Sequence, residues 1–262
     1  AERLAPVIEH LKQRFPSVDR VTTYARSRTL CARSPEQLAR LRAAGLTRIH
    51  VGVESGSDRV LALVRKGCRA EHHATGCRRA VDAGFDVCCY VMPGLGGRDL
   101  SAEHTRETAR VLRAIDPQHV RLRTLWIDPR SPLAELRDRG ELSYPEEHEI
   151  VAEIRELIRG LDGARGRLVS DHDRNLLVDL EGDLARDVPA LLARADRLLE
   201  LEPDLRDGFV AARRAGFVRT LDTYLADDEM RRTFPRLAAD LRRRGAGSLV
   251  AGLEAELGPR RL

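Results

Sequence analysis

Lysine is nearly missing from this chain. Lys12 and Lys66 are the only two among 45 basic residues, and arginine carries the rest of the positive charge. Those arginines are interleaved with Asp and Glu along helical stretches, and the formal net charge is only +4 against 41 acidic side chains. Such a balance does not call for nucleic acid or an anionic membrane surface as partner. No apolar run is long enough to cross a bilayer. The five cysteines, Cys31, Cys68, Cys77, Cys88 and Cys89, show no CxxC spacing, which weighs against an iron–sulfur site built from them. Their odd number and the α/β pattern of the chain predict reduced thiols and a cytoplasmic setting. His73 and Cys77 stand four apart on a helix, half of a zinc site, but no second pair answers them, so no metal ligand is predicted. The turn Pro93-Gly94-Leu95-Gly96-Gly97 lacks the Lys and Ser/Thr of a P-loop. No repeat of solenoid period occurs.

What is present is a run of strand–helix units. The chain is 42% hydrophobic and can bury a sizeable core. The most informative stretch is LTRIHVGVESGSD, residues 46–58. Arg48, His50, Gly52 and Glu54 share one parity; Ile49, Val51 and Val53 share the other. Side chains alternate across a strand, so one face is aliphatic and the other is polar and ends in a carboxylate. Helices cover the aliphatic face of a parallel sheet. Glu54 falls at the carboxyl end of the strand, where α/β sheets and barrels keep their ligands. The plainer reading is a strand-end carboxylate answering Arg48 or Arg121.

In chain order the pattern predicts a helix over 6–15, a strand over 20–25, and a helix from a capping Ser34 with Gln37 to Gly45. The 46–54 strand follows, then helices over 58–66 and 70–83, a strand over 85–92, and a helix capped by Ser101. A strand over 119–126 and a long helix over 146–161 come next, then a strand-like piece at 167–169. Gly182, Pro189, Pro203, Gly216, Pro235 and Gly245 divide the remainder into helices. Ser170-Asp171-His172 reads either as a helix cap or as a segment that brings His172 and Asn175 over the sheet's ligand end. The rhythm implies an α/β fold, a partial parallel (βα) barrel in 1–162, with a mostly helical extension in 163–262. Tyr24, Arg26, His50, Glu54, Arg121 and Arg123 give its strands a polar face, which predicts an open barrel around a ligand. The 20–25 strand should be a free edge, prone to self-association or to pairing with a partner chain.

VGVESGSDRVLALVRKG, followed by AVDAGFDVCCYVMPGLGG, resembles the radical S-adenosylmethionine (radical SAM) enzymes. The nearest branch is the one shared by the elongator-type acetyltransferase subunit, the methylthiotransferases and oxygen-independent coproporphyrinogen oxidase. The likeness continues through RVTTYARSRTL, IDPQHVRLRTLW and SDHDRNLL, and covers about residues 6–180. It implies a barrel that holds a [4Fe–4S] cluster on a CxxxCxxC loop. S-adenosylmethionine bound at the cluster then yields a 5′-deoxyadenosyl radical that acts on a substrate, a small molecule or one of another class. It further implies that Gly52, Glu54 and Ser55 meet the methionyl or ribose part. Tyr90, Met92 and Gly94 would pack the adenine, and Arg121 and Arg123 would face the cavity. It assigns no catalytic side chain. The sequence departs from the family in having no CxxxCxxC and no glycine-rich turn for the methionine amino group. The expectation is that both lie ahead of Ala1, that the first two barrel strands are missing, and that this is a truncated, C-terminal portion of a radical SAM protein. Two other readings stand beside it: a non-catalytic remnant or binding module of that family, and a TIM-like lyase in which Glu54 and His50 do acid–base work.

Overall fold

The computed structural model describes residues 2–244, 249–250 and 252–253. Ala1 and Gly245 lie outside the described residues. Helix α1 (Leu4–Arg14) precedes strand β1 (Thr22–Ala25), and two helices, α2 (Ser27–Cys31) and α3 (Pro35–Ala43), lead to β2 (Arg48–Glu54). Helices α4 (Asp58–Leu63) and α5 (Ala70–Asp82) carry the chain to β3 (Asp86–Val91), and α6 (Gly97–Ile115) to β4 (His119–Leu122). After α7 (Pro132–Asp138) and α8 (Glu147–Gly160) come β5 (Arg167–Val169) and β6 (Gly182–Asp183). Helices α9 (Val188–Leu199), α10 (Pro203–Arg214), α11 (Leu221–Ala226) and α12 (Asp228–Arg243) follow.

The fold is α/β. One open sheet runs in the order β1-β2-β3-β4-β5-β6, parallel through β5 and antiparallel at β6. Sequential parallel strands joined by helices are the pattern of a partial (βα) barrel. The sheet continues past residue 163 through β5 and β6; the all-helical part begins at α9. No helix among the described residues is long and apolar enough to cross a membrane.

Local chemistry explains the elements. In β2, Ile49, Val51 and Val53 are buried while Arg48, His50, Gly52 and Glu54 are half-exposed, so the alternation read from sequence sets the two faces. Ser34 and Gln37 form the expected capping box at the start of α3. Gly76 lets α5 pack closely on α2: a Cβ there would run into the Ser27 carbonyl and lie 3.1 Å from Cys31 Sγ.

Three expectations are corrected. Ser101 does not cap α6; the helix starts at Gly97, four residues earlier, and the Ser101 hydroxyl bonds to Glu153 instead. Pro235 does not divide the tail; α12 continues through it, and its ring packs against Gly208 of α10, where a Cβ would lie 2.8 Å from Pro235 Cδ. Strand β4 ends at Leu122, short of 126, although Arg123 and Leu125 still donate to the carbonyls of Val91 in β3 and of Pro93 just after it. On its other side the Asn175 side chain replaces a strand. Thr124 N–H donates to its Oδ1 at 2.9 Å, and its Nδ2 donates to the Leu122 carbonyl at 3.1 Å and to Ser170 Oγ at 2.9 Å.

Candidate functional site

Parallel register lines up the polar face in rows. Arg48 pairs with Asp86 on the next strand. Tyr24, His50, Cys88 and His119 stand side by side, as do Gly52, Tyr90 and Arg121 one step nearer the carboxyl ends. The amino-terminal end of this face closes on itself: Arg48 Nε donates to Asp86 Oδ2 at 2.6 Å, and Arg48 Nη2 meets His119 Nε2 at 2.9 Å. Burial is the main reason that His119 is held below its usual range.

The middle of the face is aromatic. Tyr24 and Tyr90 stack at 6.2 Å between ring centroids, and His50 meets both edge-on, at 5.1 and 5.5 Å. His50 Nδ1 lies 3.2 Å from the Tyr90 hydroxyl, while its Nε2 is buried with no hydrogen-bond partner. Burial, with Arg48 and Arg121 adding to it, lowers the His50 pKa, so the ring is neutral at pH 7. A buried polar nitrogen with no protein partner is left to bond to water or to a ligand atom.

The carboxyl end of β2 is strained. The β2–β3 register shifts between Gly52 and Glu54, and Glu54 takes a left-handed φ of 61°. Ser55 N–H donates to the Val53 carbonyl at 2.7 Å, closing a three-residue turn on Glu54. Such a conformation in a residue with a Cβ costs about 1–3 kcal/mol and gathers at functional sites. The turn re-aims Glu54, as bulges do. Its carboxylate folds back over Gly52 and meets Lys66 Nζ at 3.0 Å. The partner is thus neither Arg48 nor Arg121. Gly52 leaves the room that this pair occupies: a Cβ would strike Glu54 Oε1 and lie 3.1 Å from Lys66 Nζ, so both flexible side chains would have to swing aside.

Arginines fill the far side. Arg121 makes a two-pronged pair with Asp171, which holds the Asp171 carboxyl below its usual range. Arg123 lies over the Tyr90 ring at 5.2 Å, and among the described residues no carboxylate pairs with it. Segment 170–175 forms no helix. It brings Asp171 to Arg121 and buries Asn175 against β4.

The sequence-derived site divides accordingly. Gly52, Glu54, Tyr90, Arg121 and Arg123 come together on the polar face. Ser55 does not: it is fully buried behind β2, with its hydroxyl 2.8 Å from His104 Nδ1 of α6. Gly94 also turns away, donating its N–H to Glu153 Oε1 at 2.7 Å and packing against Ile150. Met92 joins an apolar cluster with Val60, Leu95 and Leu125. Glu54 and His50 are tied to different partners, Lys66 and Tyr90, and not to each other. Lys66 is a residue of this surface that the sequence reading does not name, and the rarity of lysine is its signal; Tyr24, which that reading puts on the polar face, stands there beside His50.

Behind the loop after β3 lies a buried polar cluster. Glu153 of α8 accepts from Gly94 N–H and Ser101 Oγ–H, and burial pushes its pKa up to about 7. His104 Nε2 is 3.6 Å from Glu153 Oε1, the spacing of an ion pair. Burial pushes His104 down to about 4, so at pH 7 the histidine is neutral and the contact is not a charge pair.

Residues 4–110 match the radical SAM superfamily. A curated relative is the heme chaperone HemW of Bacillus subtilis (strain 168), 26% identical over 134 residues, which are 51% of this chain and 35% of that protein. The chain thus spans about a third of the length of that relative. Among solved structures, methylornithine synthase (PylB) aligns at 17% identity over 74% of this chain and 50% of its own, with a TM-score of 0.47. The archaeal Methanocaldococcus infernus Elp3 with an N-terminal deletion aligns at 21% identity over 53% of this chain and 32% of its own, with a TM-score of 0.45.

Radical SAM proteins pair S-adenosylmethionine with a [4Fe–4S] cluster, and the two fit this chain differently. Among the described residues no group of three His, Cys, Asp or Glu could hold a metal ion. Cys77, Cys88 and Cys89 are buried, and Cys31 and Cys68 are held to separate partners. The residues present do not fit the cluster. They do fit S-adenosylmethionine: a Glu54–Lys66 pair over a bare glycine, an unpartnered His50 Nε2 and an arginine without a carboxylate face one surface.

Proposed function

We propose that this chain provides the S-adenosylmethionine-binding wall of a radical SAM protein whose cluster is held by residues other than these 262. The observation that carries the reading is the strained turn at Glu54, which aims a carboxylate and Lys66 together over Gly52. Strain held at one strand end by a closed turn is a mark of a site, and the superfamily match spans this strand. Bound there, S-adenosylmethionine would be the source of a 5′-deoxyadenosyl radical.

The chain's own residues bind and orient. Lys66 offers an ammonium to a carboxylate, and Glu54 accepts from an ammonium or a ribose hydroxyl. Tyr90 and Tyr24 give flat apolar surface. His50, neutral at pH 7, supplies one uncommitted ring nitrogen and no charge. Asp171 fixes Arg121 in place, while Arg123 keeps its charge for a ligand. The substrate would lie along this face. The outer edge of β1 is the docking edge for a further strand, from a second copy or another chain.

The test is calorimetric titration of the protein with S-adenosylmethionine. Saturable binding tighter than about 1 mM is expected, and Gly52→Ala or Glu54→Gln should weaken it about 10-fold, or about 1.4 kcal/mol. No binding, or binding indifferent to both substitutions, overturns the proposal.

A further inference from the structure

The loop between α4 and α5 holds a cysteine that the radical SAM reading does not use. Cys68 is half-buried, with its Sγ 3.3 Å from His73 Nε2. His73 is fully buried, and its Nδ1 lies 2.5 Å from Oγ of Ser27, at the start of α2. The partner of His73 is therefore Cys68 and not Cys77, four residues on. The three side chains form one hydrogen-bonded line from the end of β1 to the thiol. When Ser27 donates to Nδ1, the Nε2–H points at sulfur and favours its thiolate.

The thiol opens on a cavity of about 710 Å³. Arg26, Arg28, Arg65 and Lys66 line it together with Cys68 and His73, and no carboxylate is among the lining residues. Arg28 donates to the Gly67 carbonyl. Among the described residues Arg26 and Arg65 have no carboxylate partner. About half of the cations among the described residues meet an acid, whereas three guanidiniums without one gather around this single cavity, an arrangement that favours an anion. Three of the other thiols, Cys77, Cys88 and Cys89, are buried; Cys31 is half-buried like Cys68 but donates to the His72 carbonyl beneath Gly76.

We propose that Cys68 is a modification site that takes up a small anionic disulfide as a mixed disulfide inside this cavity. The Cys68 thiolate attacks one sulfur of R–S–S–R. The new S–S bond forms as the old one breaks, and the released R–S⁻ takes up the proton that Cys68 gave away. The adduct stands beside Gly52 and the Glu54–Lys66 pair, so oxidised thiol pools would close the site. Burial raises the Cys68 thiol, with Asp58 and Cys77 adding to it and Lys66 and Arg28 opposing it, so the reaction quickens as pH rises.

Two probes test it without S-adenosylmethionine, so its outcome is separate from that of the binding reading. Dithiobis(nitrobenzoate) carries two carboxylates; dithiodipyridine carries no charge. Thiol release is followed by absorbance, and the first adduct is located by peptide mass. The expected result is a fast phase at Cys68 whose anionic-to-neutral rate ratio exceeds that of the urea-unfolded chain about 10-fold. Cys68→Ser should remove the fast phase. Arg28→Gln with Arg65→Gln, both exposed positions, should return the ratio toward the unfolded value and leave the neutral probe's rate alone. His73→Asn should move the pH profile of the fast phase upward. A first adduct at Cys31, a fast phase that survives Cys68→Ser, or a ratio equal to that of the unfolded chain overturns the proposal.

Discussion

Replacing Glu153 by glutamine should make this protein more sensitive to mild acid. Three buried groups decide the matter. His73 and His104 are each pushed down to about 4 from an ordinary 6.5, and Glu153 is pushed up to about 7 from 4.5. The histidines fold neutral. As pH falls from 7 to 5 the unfolded chain binds protons that the native state refuses, and each histidine withdraws about 2 kcal/mol of stability. Glu153 runs the other way. Its raised native pKa means that acidification through the same window favours the folded state, by about 2 kcal/mol. From these groups the wild type should lose about 2 kcal/mol between pH 7 and pH 5, and the Glu153→Gln variant about 4 kcal/mol. Glutamine keeps an acceptor for Gly94 N–H and matches the carboxyl in shape, so the packing behind the loop survives. Urea unfolding at the two pH values, followed by circular dichroism, reads the difference directly. Equal losses in the two proteins would refute the reasoning, because they would mean that Glu153 stays ionised in the native state down to pH 5, as it does in the unfolded chain.

Asn175→Ala should cost about 2–4 kcal/mol, since it strands the Thr124 N–H and the Leu122 carbonyl in a buried place; urea titration checks it, and a loss under 1 kcal/mol would mean that water replaces the amide. The free edge of β1, with Tyr24 73% exposed on that strand, should give concentration-dependent sedimentation, and a monomer at every concentration would remove the case for a docking edge.

Much of the architecture could be read from residue order, because it is encoded locally. The period-two pattern of β2, the Ser34–Gln37 box and the turns at Gly45 and Gly84 all act within a few residues. Even the short β5 was visible at 167–169. The misreadings share a cause, which is a partner far away in sequence. Ser101 looks like a cap until Glu153, fifty-two residues on, takes its hydroxyl. Strand β4 looks longer than it is because Asn175 completes it with a side chain. Gly94 sits in a turn that looks built for a ligand, yet its N–H is already spent on Glu153. Polar parity put Gly52, Glu54, Arg121 and Arg123 on one face, and the structure brings them together there with Tyr90. The pairing of Glu54 could not be read, since a bulge and a left-handed residue decide where its carboxylate goes.

The Val53–Ser57 segment shows why one short motif carries two duties. Glu54 faces the site in a strained turn, and strain persists only where neighbours over-determine it. The next three residues supply that restraint, all of it against α6. The Ser55 hydroxyl meets His104, Gly56 N–H donates to Thr108 Oγ1 at 2.8 Å, and the Ser57 hydroxyl donates to Glu103 Oε1 at 2.6 Å. Gly56 must lack a side chain because a Cβ would enter the backbone of α6 at Glu107. Three hydrogen bonds worth about 1 kcal/mol each are enough to offset a left-handed glutamate. The glutamate alone therefore reaches the polar face, while the serines and the glycine fix its aim from behind the sheet. That division accounts for a buried Ser55 in a motif whose resemblance had placed it at the cofactor.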